Sequence, residues 1–100
     1  MIINTIRDLV SKEKVQIRHH ARIRMRNRGI KLDAFMDALA YGEVIEEYPD
    51  DKPYPSCLIY GESDGRPIHV VCAISDVEII VITAYEPDPE KWLDFKIRKK

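Results

Sequence analysis

Two residue types suited to phosphate chemistry recur in this chain at a helical interval. His20, Arg24 and Arg28 follow one another every four residues. On a helix each such step turns by only about 40°, so the three side chains form one stripe. An imidazole takes or gives a proton near neutral pH, and a guanidinium presents a planar fork of N–H donors to a phosphate. Ala21 and Met25 lie beside the stripe and are expected to seat the helix on a sheet, leaving the stripe at the edge of the buried contact. Arg22 and Arg26 project elsewhere as solvent-facing cations. Spacing alone fits a solvated helix face as readily as a functional one.

His69 is the second candidate, alone on the otherwise apolar run Pro67 to Cys72. Thr83 and Tyr85 stand two residues apart in Val81 to Tyr85 and point to one face of a strand. Both residue types favour strands, and a lone strand histidine is usually structural, so these residues gain chemical meaning only if they meet the basic stripe. Asp50 and Asp51 with Glu46 and Glu47 offer carboxylates but no third ligand, so no metal or other cofactor is expected.

The elements that must position these groups are legible in the pattern. Ile2, Ile6, Leu9 and Val10 predict an amphipathic helix over 2–14. A second helix is expected over about 19–28, stopped by a left-handed Gly29. A third spans Leu32 to Gly42, with Asp33 near its start and Gly42 as its stop. From Glu43 the period becomes extended. Strands are expected at Glu43–Tyr48, Cys57–Glu62, Pro67–Ile74 and Val77–Tyr85, with turns through Pro49, Pro53 and Pro55, at Ser63-Asp64-Gly65-Arg66, and at Ser75-Asp76. Four strands with short joins imply an antiparallel meander, and the fold class is therefore α+β, N-terminal helices on a four-stranded antiparallel sheet. Asp88 as N-cap and Pro89 at the first helical position predict a short terminal helix that packs Trp92 back onto the domain. The basic tail, residues 95–100, is expected to fray.

The register of the last hairpin decides whether His69 joins Thr83 and Tyr85. A two-residue loop pairs His69 with Ile82 and puts it on the face opposite Thr83. A three-residue loop, Ser75-Asp76-Val77, pairs Ile74 with Glu78 and His69 with Thr83. His69, Thr83 and Tyr85 then share one face, and Ile68, Val70, Cys72, Ile80 and Ile82 the other. Neither loop contains the glycine that tight hairpins favour. The needs of the site select the three-residue loop.

The chain has 100 residues, 45% of them hydrophobic, and a net charge of −1. That length suits one domain with one core. The near-neutral total hides an asymmetry. Residues 1–31 carry nine cations against Asp8 and Glu13, a net +7, and residues 32–64 carry nine acids against Lys52, a net −8. Either the two segments pair on the surface, or the basic one presents a local field to a polyanion. No apolar stretch is long enough to span a bilayer, and Asp8 falls where an export signal would need apolar residues, so a cytoplasmic location without membrane association is expected. Cys57 and Cys72 are too few and too far apart for a thiolate zinc site and read as buried free thiols.

The run His20-Ala21-Arg22-Ile23-Arg24-Met25-Arg26-Asn27-Arg28-Gly29-Ile30 resembles the H-A-x-x-R-M-x-x-R-G-I signature of the bacterial domain of unknown function 4258. Pro67 to Val71 and Val81 to Trp92 resemble that family's later strand and its I-T-x-Y-x-P-D-x-x-x-W ending, so the resemblance runs from about Ile17 to Trp92. The family is similar to the RelE and MqsR-like ribonuclease toxins of toxin-antitoxin pairs. The resemblance implies an endoribonuclease toxin acting on mRNA, free or ribosome-associated, and held in check by a cognate antitoxin protein. Metal-free RNA cleavage needs a base for the 2′-OH proton, cations for the phosphorane and an acid for the 5′-oxygen. In that reading His20 or His69 is the base and Arg24 and Arg28 stabilise the phosphate. Tyr85 or the second histidine is the acid, Thr83 positions, and Arg18, Arg22, Arg26 and Lys31 bind RNA. The alternative from another class is a non-catalytic RNA-binding or protein-interaction module of the same fold.

Overall fold

The computed structural model describes residues 2–63 and 65–99. The first amphipathic segment forms α1 (Ile2–Ser11) and buries Ile6 and Leu9. It ends short of residue 14. Glu13 turns left-handed at φ 58°, and the Lys14 N–H returns to the Leu9 carbonyl at 2.8 Å. The chain then extends through β1 (Val15–Ile17) and enters α2 (His19–Asn27), which buries Ala21 and Met25 as the spacing requires. Gly29, at φ 68°, ends α2. The Ile30 N–H reaches the Met25 carbonyl at 2.9 Å and the Gly29 N–H reaches Arg26 at 3.2 Å, so the last carbonyls are satisfied by a left-handed cap. The third helix, α3 (Leu32–Tyr41), buries Phe35, Ala38 and Leu39. Gly42 stops it for a different reason from the expected one. Its backbone is extended, and a Cβ there would lie 2.3 Å from the Ala38 carbonyl oxygen and 2.5 Å from that of Tyr60.

The sheet has five strands, not four, and is mixed. β2 (Glu43–Tyr48), β3 (Ser56–Ser63), β4 (Arg66–Ile74) and β5 (Ile79–Tyr85) form the expected antiparallel meander. β1 adds a parallel edge, giving the order β1-β5-β4-β3-β2. The fifth strand has a physical cause. The link between α1 and α2 must satisfy its backbone groups, and the free edge of β5 is where it runs. The Ile79 N–H donates to the Lys14 carbonyl at 2.8 Å. Of the turn Ser63-Asp64-Gly65-Arg66, Asp64 lies outside the described residues.

All three helices lie on one face. Phe35, Leu39, Ile6 and Ala21 meet Ile59, Ile68, Val70 and Val81 in a single core. α3 sits so close to β3 that a Cβ on Gly61 would lie 2.6 Å from the Ala38 Cβ. Cys57 and Cys72 are cross-strand partners in this core, fully buried free thiols with sulfurs 3.7 Å apart. Their separation along the chain conceals that adjacency. The other face of the sheet carries three rows of register partners. They are Ser56, Ala73 and Ile80; Leu58, Val71 and Thr83; and Tyr60, His69 and Tyr85.

No terminal helix forms. Asp88 does act as a cap, its carboxylate accepting the Glu90 N–H at 2.9 Å and its carbonyl the Trp92 N–H at 3.1 Å. After that single turn the chain becomes a small ribbon, β6 (Trp92–Leu93) against β7 (Ile97–Arg98). The described part of the tail runs on through Lys99. It lies over the acidic edge of the sheet, where Lys96 meets Glu43 at 2.6 Å and Arg98 meets Glu46 at 2.8 Å. Lys100 lies outside the described residues. Among the described residues no helix is long and apolar enough to cross a membrane.

Candidate functional site

The edge of β5 is shared between β1 and α2. β1 covers it from Ile79 to Val81, and the Arg18 N–H makes one more contact to the Val81 carbonyl at 3.5 Å. From there α2 runs along the remainder of the strand. At its far end the Arg28 guanidinium donates from Nη1 to the Ala84 carbonyl at 2.8 Å and to Thr83 Oγ1 at 3.3 Å. His20 and Arg24 are exposed on the same stripe, with His20 about 12 Å up the helix from Arg28. Arg28 and Thr83 are thus brought into direct contact, and the stripe flanks the row that carries Thr83.

His69 reaches the same face as Thr83 and Tyr85 by a route that neither expected loop describes. The β4–β5 loop has four residues, Ser75 to Glu78, closed by the Ser75 N–H on the Glu78 carbonyl at 3.0 Å. It pairs Ile74 with Ile79. A loop of even length would leave His69 on the wrong face, but a bulge shifts the register between the Cys72–Val81 and Val71–Thr83 pairs. One extra residue restores the parity. His69 ends directly opposite Tyr85, not Thr83. Ile80 and Ile82 are corrected with it. Ile80 pairs with Ala73 on the outer face, and Ile82, in the bulge, is 42% exposed.

The Tyr85 hydroxyl lies 3.3 Å from His69 Nδ1, and the Phe95 carbonyl lies 2.5 Å from Nε2. A carbonyl only accepts, so Nε2 carries the proton and Nδ1 accepts from Tyr85. Trp92 packs edge-on against the imidazole at 4.5 Å between centroids. The ring is fully buried beneath the terminal ribbon. Burial pushes the His69 pKa below its ordinary value despite the opposing pull of the Phe95 carbonyl, and burial pushes the Tyr85 phenol up. At neutral pH the pair is therefore a neutral imidazole holding a protonated, half-buried tyrosine. Glu46 stands near by. Burial alone would raise its pKa, but hydrogen bonds from Arg98 and Tyr48 outweigh that and hold it down.

Among the described residues no ion pair joins the two oppositely charged segments. Among the described residues the ion pairs are Lys12–Asp8, Arg66–Glu86, Lys96–Glu43 and Arg98–Glu46. None joins a cation of 18–31 to an acid of 32–64, because the acids at 43 and 46 take their partners from the C-terminal ribbon. The α2 cations are in no ion pair among the described residues. They do not converge, however. Arg22, Arg26 and Lys31 rim a separate groove between α2 and α3, while Arg18 lines a hollow on the outer sheet face.

Three residues that hold the site together went unsignalled. Arg66 donates to the Arg28 and Gly29 carbonyls, each at 2.8 Å, and to Glu86 at 2.8 Å, so one guanidinium ties the end of α2 to the end of β5. Phe95 and Arg98 fix His69 and Glu46. Arg66 stands at a strand start with no motif around it, and the other two lie in the segment expected to fray. Only the tertiary fold reveals them.

A cationic helix along a sheet edge, beside a buried histidine and its tyrosine partner, marks the candidate site of this small α+β domain. The family model of the domain of unknown function DUF4258 matches residues 17–86, and the chain belongs to that family. That span begins at β1 and ends just past β5, so it contains every candidate of the stripe and the outer face. No curated protein and no solved structure matches the chain.

Proposed function

We propose that this chain is an endoribonuclease acting on mRNA without metal, the toxin of a toxin-antitoxin pair similar to the RelE and MqsR-like enzymes. The observation that carries the reading is the contact of Arg28 with Thr83, beside the Tyr85–His69 pair and in line with Arg24, which is in no ion pair among the described residues. His20, the exposed histidine of the stripe, takes the 2′-OH proton as the 2′-oxygen attacks the phosphorus. Arg24 and Arg28 stabilise the phosphorane. The bond to the 5′-oxygen breaks as the leaving group takes a proton that Tyr85, at the Arg28 end of the stripe, supplies through intervening water, leaving a 2′,3′-cyclic phosphate and a 5′-hydroxyl. His69 does not touch RNA in this scheme and is a positioning residue, holding the phenol through Nδ1. Thr83 positions Arg28. An antitoxin with an acidic segment over the stripe is the simplest neutraliser.

A second reading, a non-catalytic RNA-binding module, is favoured by one observation. Both ring nitrogens of His69 are engaged and the ring is fully buried. Incubation with a long mRNA in EDTA separates the two. Discrete fragments that disappear with His20→Ala support the nuclease, and intact RNA with measurable binding selects the module.

A further inference from the structure

The row Ser56, Ala73 and Ile80 crosses the outer face where the terminal ribbon does not reach. Its first two side chains are small, and they leave a hollow of about 260 Å³. Tyr54 and Ile82 line it and remain 39% and 42% exposed. An aromatic ring and an isoleucine facing solvent across a small hollow make a stacking platform for a flat π-system. The groove between α2 and α3, also rimmed by cations, has only aliphatic side chains on its floor and offers no such platform.

We propose that this hollow binds one nucleobase of single-stranded RNA, an inference that rests on the RNA reading of the stripe. Arg18 and Lys52 line the same hollow, and neither is engaged in an ion pair among the described residues. They supply cations for the phosphates that flank a stacked base. Asp51 lines it too and accepts the Ser56 hydroxyl on one carboxylate oxygen. Its remaining acceptor capacity suits the amino group of guanine, adenine or cytosine, which uracil lacks. The row of Thr83 lies two residues along β4 from the hollow, ~7 Å. A single nucleotide spans that distance, so a phosphate on Arg28 and a base in the hollow belong to the same strand of RNA.

Titration of the isotopically labelled chain with each nucleoside 5′-monophosphate, followed by NMR, tests the site without requiring cleavage. The expected result is movement of the Tyr54 ring and the Ile80 and Ile82 methyl signals, with GMP, AMP and CMP binding about 5- to 10-fold more tightly than UMP. Tyr54→Leu, which keeps the apolar volume but removes the stacking ring, weakens binding roughly tenfold or more. Asp51→Asn, whose amide N–H matches a base carbonyl, moves the preference toward UMP. Signals that do not move, or that move equally in Tyr54→Leu, overturn the proposal. Nucleotide binding here by a chain that leaves RNA intact upholds this site while the nuclease reading falls. RNA cleavage indifferent to both substitutions does the reverse.

Discussion

Tyr85 stands directly opposite His69 across β4 and β5, with its hydroxyl 3.3 Å from Nδ1. A bulge just beyond the next two pairs makes the meeting possible. The imidazole is buried beneath the terminal ribbon, and its protonation is therefore coupled to folding.

Stability should fall on mild acidification because of His69. Its folded pKa is depressed by burial below the ordinary 6.5, so the unfolded chain binds the proton more readily. The contribution is fully present above about pH 6.5 and is lost as pH falls through the depressed value. The facing groups are Tyr85, protonated throughout this range, and Glu46 and Arg98. Glu46 is depressed below 4.5 and adds its own loss only at lower pH. Urea denaturation between pH 7.5 and pH 5 should show a declining midpoint in the native chain and a flatter profile in His69→Gln.

Arg66 should matter more than its position at a strand start suggests. Its fork caps two carbonyls at the C-terminal end of α2 while pairing with Glu86. Arg66→Ala should cost about 1 kcal/mol, the side chain being partly exposed, and Arg66→Lys should recover less than half of that because an ammonium cannot span both carbonyls. Urea midpoints check it. Equal stability of all three chains would remove Arg66 as the tie between helix and strand.

Salt should report whether the stripe touches phosphate. Arg24→Ala and Arg28→Ala should each weaken RNA binding across all sequences and flatten the slope of log K against log salt by somewhat less than one unit. Unchanged slopes in both variants would take the stripe out of the interface.

Much of this was written in local pattern. Ala21 and Met25 seat α2, Gly29 caps it, and the four meander strands lie close to where alternation and turn residues put them. What escaped depends on competition between distant parts of the chain. The last hairpin offered no glycine, and its loop is built instead around Ser75, whose hydroxyl accepts the Val77 and Glu78 N–H groups. The bulge beyond it, which decides the face of His69, has no sequence mark. The Asp88-Pro89 signal yields a cap and a single turn but no helix. Trp92 and Arg98 gain more by packing over His69 and Glu46 than by continuing a short helix, a tertiary override of local preference. Charge was legible as asymmetry, but which acids would pair with which cations was not.

The product ends of RNA cleavage test the central claim most directly. A long mRNA is incubated in EDTA with the native chain and with Arg28→Ala, Tyr85→Phe and His20→Ala, and the new termini are analysed. The ribonuclease reading predicts discrete fragments with 2′,3′-cyclic phosphate and 5′-hydroxyl ends, and rates lowered by roughly 100-fold or more in each variant. RNA left intact by the native chain, or cleaved as fast by Arg28→Ala as by the native chain, would contradict it.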